Sequence, residues 1–196
     1  MAIAPTAVLE FWFGAPGSAE RGKARAEWFR KDPTFDDAIR LAFSDAVERA
    51  LAGGYGDWCL DARGALARVL LLDQFTRNIH RDTPRAFAGD ARALATVQDA
   101  IARGFDRALD AAFGHYGRWF MYLPFEHAED DAMQRRSLEL FGALSRETGD
   151  DGPLTWAQKH ADVYFRFGRY PHRNAILGRP STLEEVAFLA EPGSSF

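Results

Sequence analysis

The stretch from residue 61 to 79 constrains the fold of this chain more than any other. At about 100° per residue, Leu66, Val69 and Leu70 point one way while Leu71, Leu72, Phe75 and Ile79 point the other. The segment therefore reads as a helix that is apolar nearly all round, and such a helix is buried by its neighbours. Those neighbours have legible starts and stops. A helix over 4–13 is broken by Gly14, Pro16 and Gly17, and a more polar one over 23–30 is anchored by Trp28 and Phe29. Asp32 as N-cap and Pro33 at the first helical position open the next, which carries Phe35, Ile39, Ala42, Phe43, Ala46 and Val47 as far as Gly53 and Gly54. Thr83 and Pro84 start a helix that runs to Ala102 and is ended by Gly104.

Further along, Gly114, Gly117 and Pro124 interrupt an aromatic stretch, which predicts a short helix and then a sharp turn. Pro124 is expected at the first position of a seventh helix that reaches about Ser145. Thr155 with Gln158, and Ser181 with Glu184, fit the capping-box pattern and place the starts of the eighth and ninth helices on either side of a polar loop over 168–180. Composition agrees with this reading, since the chain holds 33 Ala and 18 Leu but only 11 Val and Ile together. The expectation is all-α: antiparallel helices stacked as a bundle or superhelix, in a single domain spanning 1–196, with no clean repeat period.

Several function classes recede. A net charge of −4 points away from a nucleic-acid partner, which a basic stripe would announce. The longest apolar run, 119–123, is far below the roughly 20 residues a membrane helix requires. No basic leader precedes Glu10, and Cys59 is a lone cysteine, so neither a secretory signal, an intrachain disulfide nor a cysteine zinc site is expected; the expected address is the cytoplasm. Arg outnumbers Lys 21 to 3, which suits bidentate anion recognition but is more readily explained as what a GC-rich genome produces.

Three apolar stripes turn polar. Asp73 and Arg77 continue the Leu66 stripe, acid first and four apart, either as a structural ion pair or as part of a site, with Asn78 next in line. On the predicted seventh helix Glu126, His127, Asp130 and Gln134 fall on the same side as Met133, Leu138, Leu140, Phe141 and Leu144. Acidic residues in a first turn have an ordinary explanation in the helix dipole; His127 and Gln134 do not. On the eighth helix His160 sits in the centre of the stripe formed by Trp156, Val163, Tyr164 and Phe167, where a lone histidine is normally a core residue. The following loop adds His172, Arg173 and Asn174.

Taken together these positions predict an enclosed pocket for a small anionic molecule. Asp73, Arg77, Asn78, Glu126, Gln134, His172, Arg173 and Asn174 would bind, and His127 and His160 would be the catalytic pair were the protein an enzyme. The alternative is a hydrolase or lyase in which His127 or His160 is the general base and Arg77 or Arg173 stabilises negative charge. A metal-dependent variant would recruit Glu126, His127, His160 and His172, but no HExxH or paired Glu-x-x-His motif sets the spacing, so no metal is assigned. No Walker or dinucleotide glycine spacing is present, and the sequence names no cofactor. The helical stack leaves room for a protein partner or a homo-oligomer.

The motifs FWFG at 11–14, LDQFTRN at 72–78, AFAGD at 86–90, FMYLPFEHAE at 120–129 and, in order, FGRYPHRN, LGR and STLEE between 167 and 185 together resemble the bacterial family labelled domain of unknown function 924. The resemblance covers nearly the whole chain. It implies an all-helical fold similar to tetratricopeptide-type superhelices, and by that analogy a protein-interaction scaffold is a third reading. It carries no activity with it.

Overall fold

The computed structural model describes residues 3–194, and those residues form helices and turns with no strand among them. Internal packing divides the chain into two compact units. The first runs up to Arg81 and resumes from Arg85 to Pro124; the second holds Asp82–Pro84 and the chain from Phe125 onward.

In the first unit α1 (Pro5–Phe13) buries Val8, Leu9, Trp12 and Phe13. Helix α2 (Pro33–Leu51) starts as expected, with the Asp32 carboxylate accepting from the Thr34 and Phe35 amides at 3.0 and 3.2 Å. Asp61 caps α3 (Ala62–Val69), which runs without a break through a π-helical turn, Leu70–Phe75, into α4 (Thr76–Ile79). Leu66, Val69, Leu70, Leu71, Leu72 and Phe75 are wholly buried, so the all-round apolar helix is enclosed as its pattern requires. Trp12 contacts Phe75 and Phe120 at ring separations of 5.4 and 5.3 Å, and this aromatic packing forms much of the surrounding core. Across the π-helical turn passes Gly89, immediately before α5 (Asp90–Ala102). A Cβ there would lie 2.0 Å from the Leu72 carbonyl oxygen, so only glycine permits the approach. Then follow α6 (Asp110–Phe113) and α7 (His115–His127), within which the first unit ends.

Four expectations are corrected. Over 23–30 there is a single 3-10 turn, Ala26–Trp28, because the stretch has one buried anchor and its arginines serve elsewhere: Arg25 donates to the Phe11 and Trp12 carbonyls that end α1, at 2.7 and 2.8 Å. Thr83 and Pro84 lead only into a 3-10 turn, Pro84–Phe87, and α5 begins at Asp90. Pro124 lies inside α7 instead of opening a helix. The break falls at 128–130, and Asp130 caps α8 (Asp131–Thr148) by accepting from the Met133 amide at 3.0 Å. Glu126 and His127 thus close one helix while Gln134 opens the next.

The fourth correction concerns caps. Helix α9 (Gly152–Phe167), packed on α8, begins before Thr155, whose hydroxyl donates to the Asp151 carbonyl at 2.9 Å. The capping box that opens α10 (Leu183–Leu189) is Thr182 with Glu185, one residue beyond the expected pair. Ser181 and Glu184 are engaged otherwise, accepting from Asn174 at 3.1 Å and Arg166 at 3.0 Å. Along α9, His160, Val163 and Tyr164 are buried as the stripe predicts, whereas Trp156 is 40% exposed. No helix among the described residues is long and apolar enough to cross a membrane.

Candidate functional site

The predicted site residues fall into two groups, one in each unit. In the first unit the Asp73 carboxylate is fully buried. Arg77, one turn on, donates to Asp73 Oδ1 at 3.0 Å and to its carbonyl at 2.9 Å, and the Gln74 amide donates to Oδ2 at 2.6 Å. Arg77 also pairs with Asp90 at the start of α5, at 2.9 Å. Asn78 donates to Asp36 Oδ1 at 2.7 Å, and Arg81 clamps both Asp36 oxygens at 2.7 and 2.8 Å. Burial alone would raise the Asp36 pKa, but Arg81 and Asn78 outweigh it and hold the carboxyl below its ordinary value. Asp73, Arg77 and Asn78 therefore sit in compensated networks that join α2, the π-helical turn and α5.

In the second unit the end of α7 meets α9. Glu126, 2% exposed, places Oε1 2.9 Å from His160 Nδ1, and the Trp156 carbonyl lies 3.0 Å from the same nitrogen. Two acceptors on one ring nitrogen place a proton on Nδ1. The His127 ring is 6.1 Å from that of His160, and one donor atom each from Glu126, His127 and His160 lie within 4.8 Å of one another. The second Glu126 oxygen, Oε2, is buried with no hydrogen-bond partner.

Around this core the backbone of 125–128 is held by side chains. The amide nitrogen of Gln134 faces the carbonyls of Glu126 and Ala128 at 2.8 and 2.6 Å, two of the acceptors that a helix C-terminus leaves unmet. It also donates to the Tyr170 hydroxyl at 2.8 Å, which in turn donates to the Glu126 carbonyl at 2.5 Å. Burial raises the Tyr170 pKa far above its ordinary value and keeps the phenol protonated. The Tyr170 ring stands edge-on to His160 at 5.6 Å, and the Arg173 guanidinium lies over it at 4.5 Å while donating to the His127 carbonyl at 3.0 Å. His172 stacks on Tyr170 at 5.7 Å; burial, followed by the charge of Arg173, pushes its pKa down to about 3, so it is neutral near pH 7.

The polar loop is pinned from outside. Arg179 forks onto Glu129 at 2.6 and 2.9 Å, the Tyr170 amide donates to Glu129 at 2.8 Å, and Asn174 accepts from Arg179 at 3.0 Å. Burial would raise the Glu129 pKa; Arg179 and the Tyr170 amide reverse this and hold it below the ordinary value. Arg169 clamps Glu185 at 2.6 and 2.7 Å and lowers its pKa to about 2.

Of the predicted residues, then, Glu126, His127, Gln134, His160, His172 and Arg173 gather in the second unit, with Asn174 acting there through Arg179. Glu129 is not among the expected site residues, and Tyr170 and Arg179 are marked in the sequence only as members of the polar loop. Glu129 falls inside the helix expected from Pro124, whereas the chain breaks there between α7 and α8, and its partner Arg179 is 50 residues away. Two recesses of about 290 and 370 Å³ lie elsewhere, one lined by Cys59, Arg68, Arg92 and Thr96, the other by Trp156, Lys159, Val163 and Phe188. Neither includes Glu126, His127 or His160.

The chain belongs to a bacterial protein family of unknown function, DUF924, whose sequence profile matches residues 8–193. It is similar to a solved structure, that of the protein of unknown function ATU0120 from Agrobacterium tumefaciens, at 38% identity over 95% of this chain and 96% of that one, with a TM-score of 0.81. No curated protein matches the chain.

Proposed function

We propose that the second unit binds a small anionic molecule, carrying a carboxylate or phosphate, at the cluster of Glu126, His127, His160 and Arg173, and that hydrolytic or lyase chemistry is the use to which such a site lends itself. The observation that carries this reading is the Glu126–His160 pair. A buried carboxylate on Nδ1 orients the ring, fixes its tautomer and stabilises the imidazolium that forms when Nε2 takes a proton. That is acid–base capability assembled next to His127 and a buried arginine. Helix α7 ends here, and Gln134 and Tyr170 meet its terminal carbonyls from the side, so the bearing residues are held without side-chain freedom to lose on binding. Burial of Glu126, His160 and Arg173 favours an enclosed site over an open groove for a protein partner.

Thermal unfolding tests this directly. A ligand that binds only the native state at a hundred times its Kd stabilises by about 2.7 kcal/mol. Inorganic phosphate or acetate raises the Tm of the wild-type protein saturably, and Arg173→Gln abolishes the rise. A Tm that responds to neither anion, or responds equally in Arg173→Gln, contradicts the reading.

A further inference from the structure

We infer that Glu126, His127 and His160 bind a divalent first-row transition-metal ion of the zinc type. The inference rests on the reading above that this cluster is a ligand site, and it names what an anion would bind to there. One carboxylate and two imidazoles form a donor set that selects zinc-like ions over the all-oxygen sites of calcium or magnesium. Three protein ligands also leave a coordination position open for water or an anion.

Geometry supports the assignment. Two donors about 2.1 Å from one ion in a tetrahedral site are roughly 3.4 Å apart. Glu126 Oε1 and His160 Nδ1 already stand at 2.9 Å, and one donor atom from each of the three residues lies within 4.8 Å of the others. In the loaded state the ion takes the place of the hydrogen between Glu126 and His160, and the ring adopts its other tautomer with the proton on Nε2. Base strength then passes from the imidazole to the ion's bound water.

Charge compensation is the independent observation. Asp36, Asp73, Glu129 and Glu185 each have both oxygens met by side chains that include an arginine. Glu126 is as buried as Glu185, yet it has an imidazole on one oxygen and no hydrogen-bond partner on the other. A buried carboxylate left this way carries its desolvation cost unless a cation completes it.

The test is calorimetric titration of chelator-treated protein with Zn²⁺ alone. One ion per chain binds with micromolar or tighter affinity. His127→Ala and His160→Ala each weaken it beyond the roughly 10–100-fold that loss of an outer partner costs, and His80→Ala and His115→Ala, in the first unit, leave it unchanged. Glu126→Gln, which keeps the side chain's shape, guards against misfolding of the alanine variants and also loses the ion. Co²⁺ substitution gives the visible absorption of a four- or five-coordinate ion. Absence of stoichiometric binding, or binding that survives Glu126→Gln and His127→Ala, overturns the metal assignment. Should the phosphate- or acetate-induced rise in Tm persist in that case, the anion-site reading stands without the metal; loss of both sinks both.

Discussion

Asp73 and Glu126 present the same physical problem in two parts of the molecule. Each is a carboxylate removed from water, and each has a basic nitrogen about 3 Å away. Asp73 is met by Arg77 on one oxygen and Gln74 on the other, and Arg77 passes on to Asp90. Glu126 is met by one imidazole, and Oε2 faces nothing that donates. A buried charge with all its bonds made is structure: it registers helices and loses by being disturbed. One that stops a partner short is stable only at a cost, and clusters of this kind are where ligands act.

The largest expected effect separates the two carboxylates. Asp73→Asn breaks a buried pair and withdraws one of the carboxylates that compensate Arg77, leaving the Asp90 pair in place, which costs about 3 kcal/mol in urea unfolding, the lower end for a broken buried pair. Glu126→Gln removes a charge that was never fully paired and changes stability by less than about 1 kcal/mol, in either direction. Equal losses in the two variants would break the comparison.

Next in size is Gly89→Ala. A Cβ 2.0 Å from the Leu72 carbonyl forces apart the π-helical turn that carries Asp73. The loss is about 1–3 kcal/mol or more by overpacking, and zinc and anion binding in the second unit are retained. A loss of binding in this variant would show that the two carboxylates are not independent.

pH dependence separates two titrating groups of the second unit. His172 has a folded pKa near 3 against an ordinary 6.5, so as pH falls below 6.5 the unfolded chain takes up a proton that the native state refuses. Stability is complete above 6.5 and declines toward 3. Glu185, at about 2 against 4.5, contributes stability that is present above 4.5 and lost between 4.5 and 2. Chemical denaturation at a series of pH values shows both windows, and His172→Gln flattens the limb between 6.5 and 4.5 and makes it shallower between 4.5 and 3, where Glu185 still contributes. An unchanged upper limb contradicts the burial of a neutral His172.

Legibility in the sequence followed the range of the interaction. Asp73 and Arg77 are one turn apart on one helix, and their pairing is written in the i, i+4 spacing. The all-round burial of Leu66 to Phe75 is equally plain, but the π-helical turn within it is not, because no spacing in the stretch marks it and the Gly89 backbone that packs on it comes from another segment. Glu126, His127 and His160 could each be singled out as polar residues on apolar stripes, and His127 and His160 do come together. Their shared geometry depends on where α7 ends, and Pro124 misdirects there: proline's preference for a first turn is strong, yet here the helix continues through it to His127. Tyr170 and Arg179 read as generic loop polarity because their partners, the Glu126 carbonyl and Glu129, are long-range.

The most direct measurement of the central claim is a long-range ¹H–¹⁵N spectrum of histidine-labelled protein, recorded alone and then with Zn²⁺ followed by inorganic phosphate. Without additions, His160 is expected to carry a proton on Nδ1. With Zn²⁺ its proton moves to Nε2, His127 shifts with it, phosphate perturbs the same two rings, and His80 and His115 stay still. A His160 protonated only at Nε2 from the outset, or His127 and His160 signals indifferent to both additions, would show that the Glu126 cluster is core packing and not a site.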